Sequence, residues 1–351
     1  MPTRRSFLSS SAAALAAAAV SNPARAAGGK LMIGLDHFAV RATGWKAPQL
    51  IDYAASQKLD CLFLSELGPF ESFEDDYLKK LKAQADAAGL KLYTGGMSIC
   101  RTSRRFKPEQ GTPEEYLALL IRIAKMCGSP IARCVLGDAS DRAADGGIDR
   151  HIEECVKALR AVKNRCETEG VRISIENHAG DMRSDELKGL IEAAGKGHVG
   201  ANIDPGNATW AMEDPLQHLE ALGPYVNCSS VRDSMVWEDE KGAVVQWTAI
   251  GEGIVDFKQY ARRFAELAPG APLNIETISG FAKPISFLNP DYMKPYPKVT
   301  DAGLAGFKAL AKRGHKIETF KAPDGPGKKE AEIAYQKAQF EKSVKWLREN
   351  V

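Results

Sequence analysis

Eight short apolar runs, at residues 31–36, 59–65, 90–95, 131–136, 171–176, 199–204, 226–231 and 272–277, are separated by longer amphipathic stretches. This alternation constrains the fold more than any other feature of the chain. The runs are nearly continuous in apolar residues, the mark of strands covered on both faces. The stretches between them carry helical spacing, for example 50–57, 76–88, 113–127, 148–169, 185–194 and 257–267. Capping chemistry agrees: Thr112-Pro113-Glu114-Glu115 opens one helix and Ala88-Gly89 closes another. Repeated strand and helix units imply a parallel sheet, and eight of them favour a closed (β/α)8 barrel, a TIM barrel, over an open doubly wound sheet.

Such a barrel needs about 250 residues, so a chain of 351 has room at both ends. The reading divides it into a leader at 1–26, one barrel domain at 27–300 and a helical extension at 301–351. Within the extension, 328–350 reads as an amphipathic helix with Ile333, Phe340, Val344 and Leu347 on one face. Lys337 interrupts that stripe, so its stem must lie along apolar surface with the charge reaching water. Packing on the barrel and contact within a homo-oligomer both explain the face.

The leader is specific. Thr3-Arg4-Arg5-Ser6-Phe7-Leu8 precedes an alanine-rich stretch at 12–20 and then Ala24-Arg25-Ala26, a small-residue cleavage pattern. It resembles a twin-arginine export signal, which implies release into the periplasm or beyond. The apolar stretch is too short for a stable span of about 20 residues, so no membrane anchor is expected. Removing 1–26 takes away Arg4, Arg5 and Arg25 and no acid; with 47 basic and 45 acidic residues in the whole chain, the remainder has a net charge of about −1. That balance argues against nucleic acid as a partner. Seven scattered cysteines show neither a metal-ligand spacing nor a disulfide framework and read as buried thiols.

Several runs end in an acid. Val171-Arg172-Ile173-Ser174-Ile175 leads to Glu176, Val199-Gly200-Ala201-Asn202-Ile203 to Asp204, and Leu273-Asn274-Ile275 to Glu276. At the carboxyl ends of barrel strands, where such enzymes keep their active sites, these carboxylates converge on one substrate or one ion. His178 shares a face with Glu176, as Asn202 does with Asp204 and Asn274 with Glu276. Asn207 reads either as a substrate contact or as a cap of the next helix. Asp36-His37 lies at the same rim, as substrate contact or exposed loop, and Arg101, Arg104, Arg105 and Lys107 read as an anion grip or a solvated loop. Gly251-Glu252-Gly253 lacks the third glycine and the lysine of a phosphate loop, and Asp256 is placed to cap the helix that follows. The aromatic and proline-rich stretch 280–297 leaves the rim, to line a ligand pocket or to pack on the barrel.

Five motifs then occur in one order: Ile175-Glu176-Asn177-His178, Ile203-Asp204-Pro205-Gly206-Asn207, Ser230-Val231-Arg232-Asp233, Gly251-Glu252-Gly253-Ile254-Val255-Asp256-Phe257 and Ile275-Glu276. Together they resemble the xylose-isomerase-like superfamily of sugar isomerases, epimerases and dehydratases, over residues 31–280. The resemblance implies one divalent cation, Mn or Mg, held by Glu, Asp, His and Glu; Glu176, Asp204 and Glu276 fall on three of those positions. The chain departs at the fourth, where Ser230 stands in place of the histidine. Water, His178 or Asp233 would complete the shell, or the ion is absent and Arg232 supplies the positive charge. Arg232 reads equally as a structural ion pair with Asp233 or Asp204, and Asp233 as a substrate ligand or as the orienter of Arg232.

The expected chemistry follows from these groups. Glu176 and Glu276 would take and return a proton beside a sugar carbonyl, with His178, Asn207, Arg232 and Asp233 binding substrate. Three classes of function fit: a metal-assisted sugar isomerase or epimerase, a lyase or dehydratase using the same carbanion on a 3-keto sugar or glycoside, and a non-catalytic sugar binder. An abasic-site nuclease of the same superfamily would want a richer zinc-ligand set than six histidines allow.

Overall fold

In the computed structural model, which describes residues 31–351, each of the eight apolar runs is a strand. They are β1 (Ile33–Asp36), β2 (Cys61–Leu64), β3 (Lys91–Ser98), β4 (Ile131–Val135), β5 (Arg172–Glu176), β6 (Val199–Ile203), β7 (Val226–Ser229) and, after two strands of a different kind, β10 (Leu273–Ile275). All pair in parallel, with β1 between β10 and β2. The ring closes between β7 and β10 through Val231, whose N–H donates to Asn274 at 2.7 Å and whose carbonyl accepts from Glu276 N–H at 2.9 Å.

Alternation along each strand sorts the residues into two populations. Leu35, Leu62, Leu64, Ile173, Ile175, Ala201, Ile203, Leu273 and Ile275 face outward into the main core beneath the helices. The lower lumen holds a separate small cluster of Cys61, Phe63, Tyr93, Ile131 and Cys228. Gly34 in β1 has no room for a side chain there, because a Cβ would collide with Asn274 and Cys61. One layer higher, the same inward positions carry polar and charged groups: Asp36, Arg133, Glu176, Asn202 and Glu276, all buried. All seven cysteines are buried and unpaired.

The helices Pro113–Cys127 and Phe257–Leu267 have the expected limits. Thr112 accepts from Glu115 N–H at 3.2 Å while Glu115 accepts from Thr112 N–H at 2.8 Å, a reciprocal cap. The single helix expected over 148–169 is two, Gly147–Ala161 and Lys163–Glu169, because Val162 leaves helical geometry. Two short helices between β6 and β7, Pro205–Trp210 and Pro215–Leu222, each begin with proline behind an aspartate cap.

Outside the barrel lies a small antiparallel sheet that the apolar runs did not announce. β8 (Asp233–Asp239) and β9 (Gly242–Thr248) form a hairpin, and β11 (Ala282–Ile285) pairs with β9 as an edge strand, where Pro284 is tolerated. Helix Asp301–Arg313 packs on this sheet around a second core containing Val236, Val245, Ile285 and Phe307. The C-terminal helix, Lys328–Asn350, buries Phe340, Val344 and Leu347 against the barrel, with Ile333 half-buried. Lys337 lies over the rings of Trp45 and Tyr53 at 5.8 and 5.3 Å, its stem along apolar surface as anticipated. No helix among the described residues is long and apolar enough to cross a membrane. The leader expected at 1–26 lies outside the described residues.

Candidate active site at the barrel mouth

Three of the sequence-selected acids meet. Glu176, Asp204 and Glu276 are buried, and one carboxylate oxygen of each lies within 4.8 Å of the others. Each is brought there by the same device, a strand or its first loop residue emerging at the carboxyl edge of the ring.

Their partners differ. Glu176 Oε2 accepts from Arg133 Nε at 2.7 Å and from Asn202 Nδ2 at 2.7 Å. Burial pushes its carboxyl up, but the charge and hydrogen bond of Arg133, together with its other neighbours including Arg232, leave it below the usual range. Asp204 caps the helix that follows it by accepting from Asn207 N–H at 3.0 Å. Burial drives Asp204 up to about 7, with Arg232 pulling the other way. Glu276, also buried, is pushed well above the usual range by desolvation despite the same arginine.

Arg232 takes neither of its roles as an Asp233 partner. One terminal nitrogen, Nη2, bridges Asp204 Oδ2 and Glu276 Oε2, and the guanidinium carbon lies 4.2 Å over the Trp247 ring. Asp233 turns away from the mouth. It accepts from the backbone N–H groups of Ser234, Gly251, Gly253 and Val255 at 2.7–3.3 Å, anchoring the Gly251–Gly253 turn. Its expected part in binding substrate is therefore replaced by a structural one. Asp256 caps its helix as expected, accepting from Gln259 N–H at 3.0 Å.

His178 and Asn207 line the mouth. His178 Nδ1 lies 2.6 Å from the Gly137 carbonyl, which can only accept, so Nδ1 carries the proton and Nε2 presents a lone pair. Burial lowers its pKa, keeping the imidazole neutral. Asn207 Nδ2 donates to Asp204 Oδ2 at 2.6 Å and reaches Glu176 Oε1 at 3.3 Å, tying the two acids together.

Ser230 stays inside the network. Its hydroxyl donates to Asp36 Oδ2 at 3.0 Å and accepts from Asn202 Nδ2 at 3.1 Å. Asp36 and His37 are thus buried, at 1% and 6% exposure, and not parts of an open loop. Of the basic run after β3, Arg105 reaches the mouth, where its Nε pairs with Asp138 at 2.5 Å.

Above the acids is a hollow of about 390 Å3, with Phe38, Arg41, Trp210, Trp247 and Phe281 among its walls. Trp210 and Trp247 stack with centroids 3.9 Å apart, and Phe281 meets both edge-on at 6.0 and 5.7 Å. Lys283 Nζ sits 3.7 Å over the Trp210 ring, and burial pulls its pKa down to about 8. An apolar wall facing a charged floor suits a polyol with an apolar ring face.

Arg133, Trp210 and Trp247 were not singled out as active-site residues. Arg133 did leave a signal: it is the one charge within the buried strand Ile131–Val135. The tryptophans left none, since Trp247 reaches the mouth only through the hairpin.

The sequence pattern described as "Xylose isomerase-like TIM barrel" matches residues 41–310. The chain belongs to this family. Among solved structures, its fold is similar to a xylose isomerase domain protein from Planctomyces limnophilus (19% identity, TM-score 0.55, covering 71% of this chain and 92% of that one). It is also similar to D-psicose 3-epimerase from Clostridium cellulolyticum H10, solved with D-tagatose (12%, 0.55, 89% and 98%). A third is the IolI protein with a bound zinc atom (11%, 0.55, 80% and 96%). Comparison with curated protein sequences found no match. At such identities the likeness concerns the xylose-isomerase-like fold, and the chemistry has to come from the residues.

The donor chemistry of the triad fits a hard divalent ion: three buried carboxylates, with no thiol among them. So does the charge balance, since Asp36, Glu176, Asp204 and Glu276 face two paired guanidiniums, Arg133 and Arg232. Departing from the family pattern, the fourth position offers a hydroxyl already engaged on both sides.

Proposed function

We propose that this member of the family is a sugar isomerase or epimerase that moves a proton on the carbon beside a carbohydrate carbonyl. The observation that carries this reading is the pair of buried glutamates on different strands, Glu176 and Glu276, at the floor of a hollow of about 390 Å3 walled by aromatic rings. One carboxylate takes the proton and the other returns it. His178 Nε2 accepts a substrate hydroxyl, Asn207 holds Glu176 and Asp204 in register, and Arg232 faces the negative charge that develops on the carbonyl oxygen. A divalent ion, Mn or Mg, held by Glu176, Asp204 and Glu276 would add Lewis-acid polarisation of that carbonyl when bound.

A second reading, a lyase acting on a 3-keto glycoside, is favoured by one feature. A further hollow of about 660 Å3, bordered by Phe320 and Tyr335, shares Arg41 and Phe281 with the first, leaving space for an aglycone. Export on the twin-arginine leader would place the protein where glycosides are available.

The test is incubation of the mature chain with ketoses and with 3-keto glycosides in deuterium oxide, with and without Mn. Solvent deuterium in recovered isomer supports the isomerase; release of aglycone or water supports the lyase. Sugar binding with neither exchange nor product would leave a non-catalytic binder.

A further inference from the structure

The family's metal position is contested in this chain by one of its own side chains. Arg232 is buried at 2% exposure and bonds Asp204 and Glu276 through the same nitrogen, so those two of the three candidate ligands already share a cation. The place for that cation is constructed by its neighbours. Trp247 covers one face of the guanidinium at 4.2 Å and is itself fixed by donating Nε1–H to the Gly206 carbonyl at 2.9 Å. Gly206 leaves the path of the arginine stem open: a Cβ there would stand 2.6 Å from Arg232 Cγ and 2.7 Å from Cδ. Arg232 Nε is buried without an acceptor among the described residues, so the two carboxylates, and not full hydrogen bonding, hold the guanidinium. Ser230, at the position of the family's histidine, is engaged by Asp36 and Asn202 and offers an incoming ion no imidazole.

We propose that Arg232 is a resident counter-ion that competes with a divalent cation for Asp204 and Glu276, so that it sets the metal affinity of the site. A guanidinium and an ion cannot both stand between the same two oxygens. Removing the arginine leaves two buried carboxylates without their charge partner, a state that a divalent ion relieves strongly. The proposal concerns binding alone and is tested without substrate, so it stands or falls separately from the proton-transfer reading.

The experiment titrates the mature chain with Mn, following binding by calorimetry and by loss of the free Mn paramagnetic resonance signal. Arg232→Gln is expected to bind Mn about tenfold or more tightly than the unaltered chain, and Mn should raise its melting temperature by more. Gly206→Ala keeps every charge but crowds the arginine stem, and it too should tighten binding; this variant serves if Arg232→Gln does not fold without metal. Equal or weaker Mn binding in whichever variant folds, relative to the unaltered chain, overturns the proposal.

Discussion

Glu176 and Glu276 differ more than their matching positions suggest. Arg133 and Asn202 hold Glu176 as an anion, while Glu276 is hydrogen-bonded, among the described residues, by the one nitrogen it shares with Asp204, and its burial prevails. Glu176→Gln and Glu276→Gln should each lower turnover by about 10²–10⁴ while the fold persists, checked by exchange from deuterium oxide alongside circular dichroism. Lys283 supplies a pH test. Its pKa falls from 10.5 to about 8 through burial, so between these values the folded chain binds fewer protons than the unfolded one. The Lys283 contribution to stability should therefore become more favourable with pH across that window, by up to ~3 kcal/mol, the penalty for a buried ammonium being full below it and gone above it. Buried thiols such as Cys61, Cys127 and Cys134, held above their usual range by burial, act in the opposite direction. Urea unfolding should show the lysine's part as a difference: the stability of the unaltered chain relative to Lys283→Met should rise by that amount across the window, the thiol and phenol contributions being common to both chains. The acids were legible because an acid closing an apolar strand has few places to go. Asp233 was not, because a carboxylate serves a ligand and a loop equally well until the loop's course is known.

That course is decided by elements. The hairpin of β8 and β9 follows directly on Arg232, carries Trp247 back to the mouth and leaves Asp233 inside the bend. Asp233→Ala would strand the N–H groups of Gly251, Gly253 and Val255, and a loss of about 2–4 kcal/mol is expected in urea unfolding. The parallel strands could be read because burial on both faces makes them continuous apolar runs. The hairpin could not, since its turn at Glu240 and Lys241 has no asparagine–glycine signature and its strands mix charge with Val and Trp. The break at Val162 was hidden for a related reason: helical periodicity continues across it while the backbone does not.

At the scale of the molecule, the C-terminal helix ties distant parts together. Gln339 and Ser343 accept from Ala249 and Ile250 N–H at 3.2 and 3.0 Å, Gln336 accepts from Ala42 N–H at 2.8 Å, and Phe340 packs 6.0 Å from Tyr53. Deleting residues 328–351 should lower the melting temperature and bring on aggregation, measurable by scanning calorimetry and light scattering, because it uncovers apolar barrel surface. The barrel as a class was legible from its repeats. Its cover was not, because an amphipathic helix declares which face is buried but not against what. Ring closure also has a consequence in time. Ile33 pairs with Leu273, so the first strand lacks one neighbour until most of the chain has left the ribosome. At ordinary rates of synthesis that wait is on the order of ten seconds or more. Throughout it, the nascent chain exposes an open sheet edge to whatever chaperone or stray strand reaches it first.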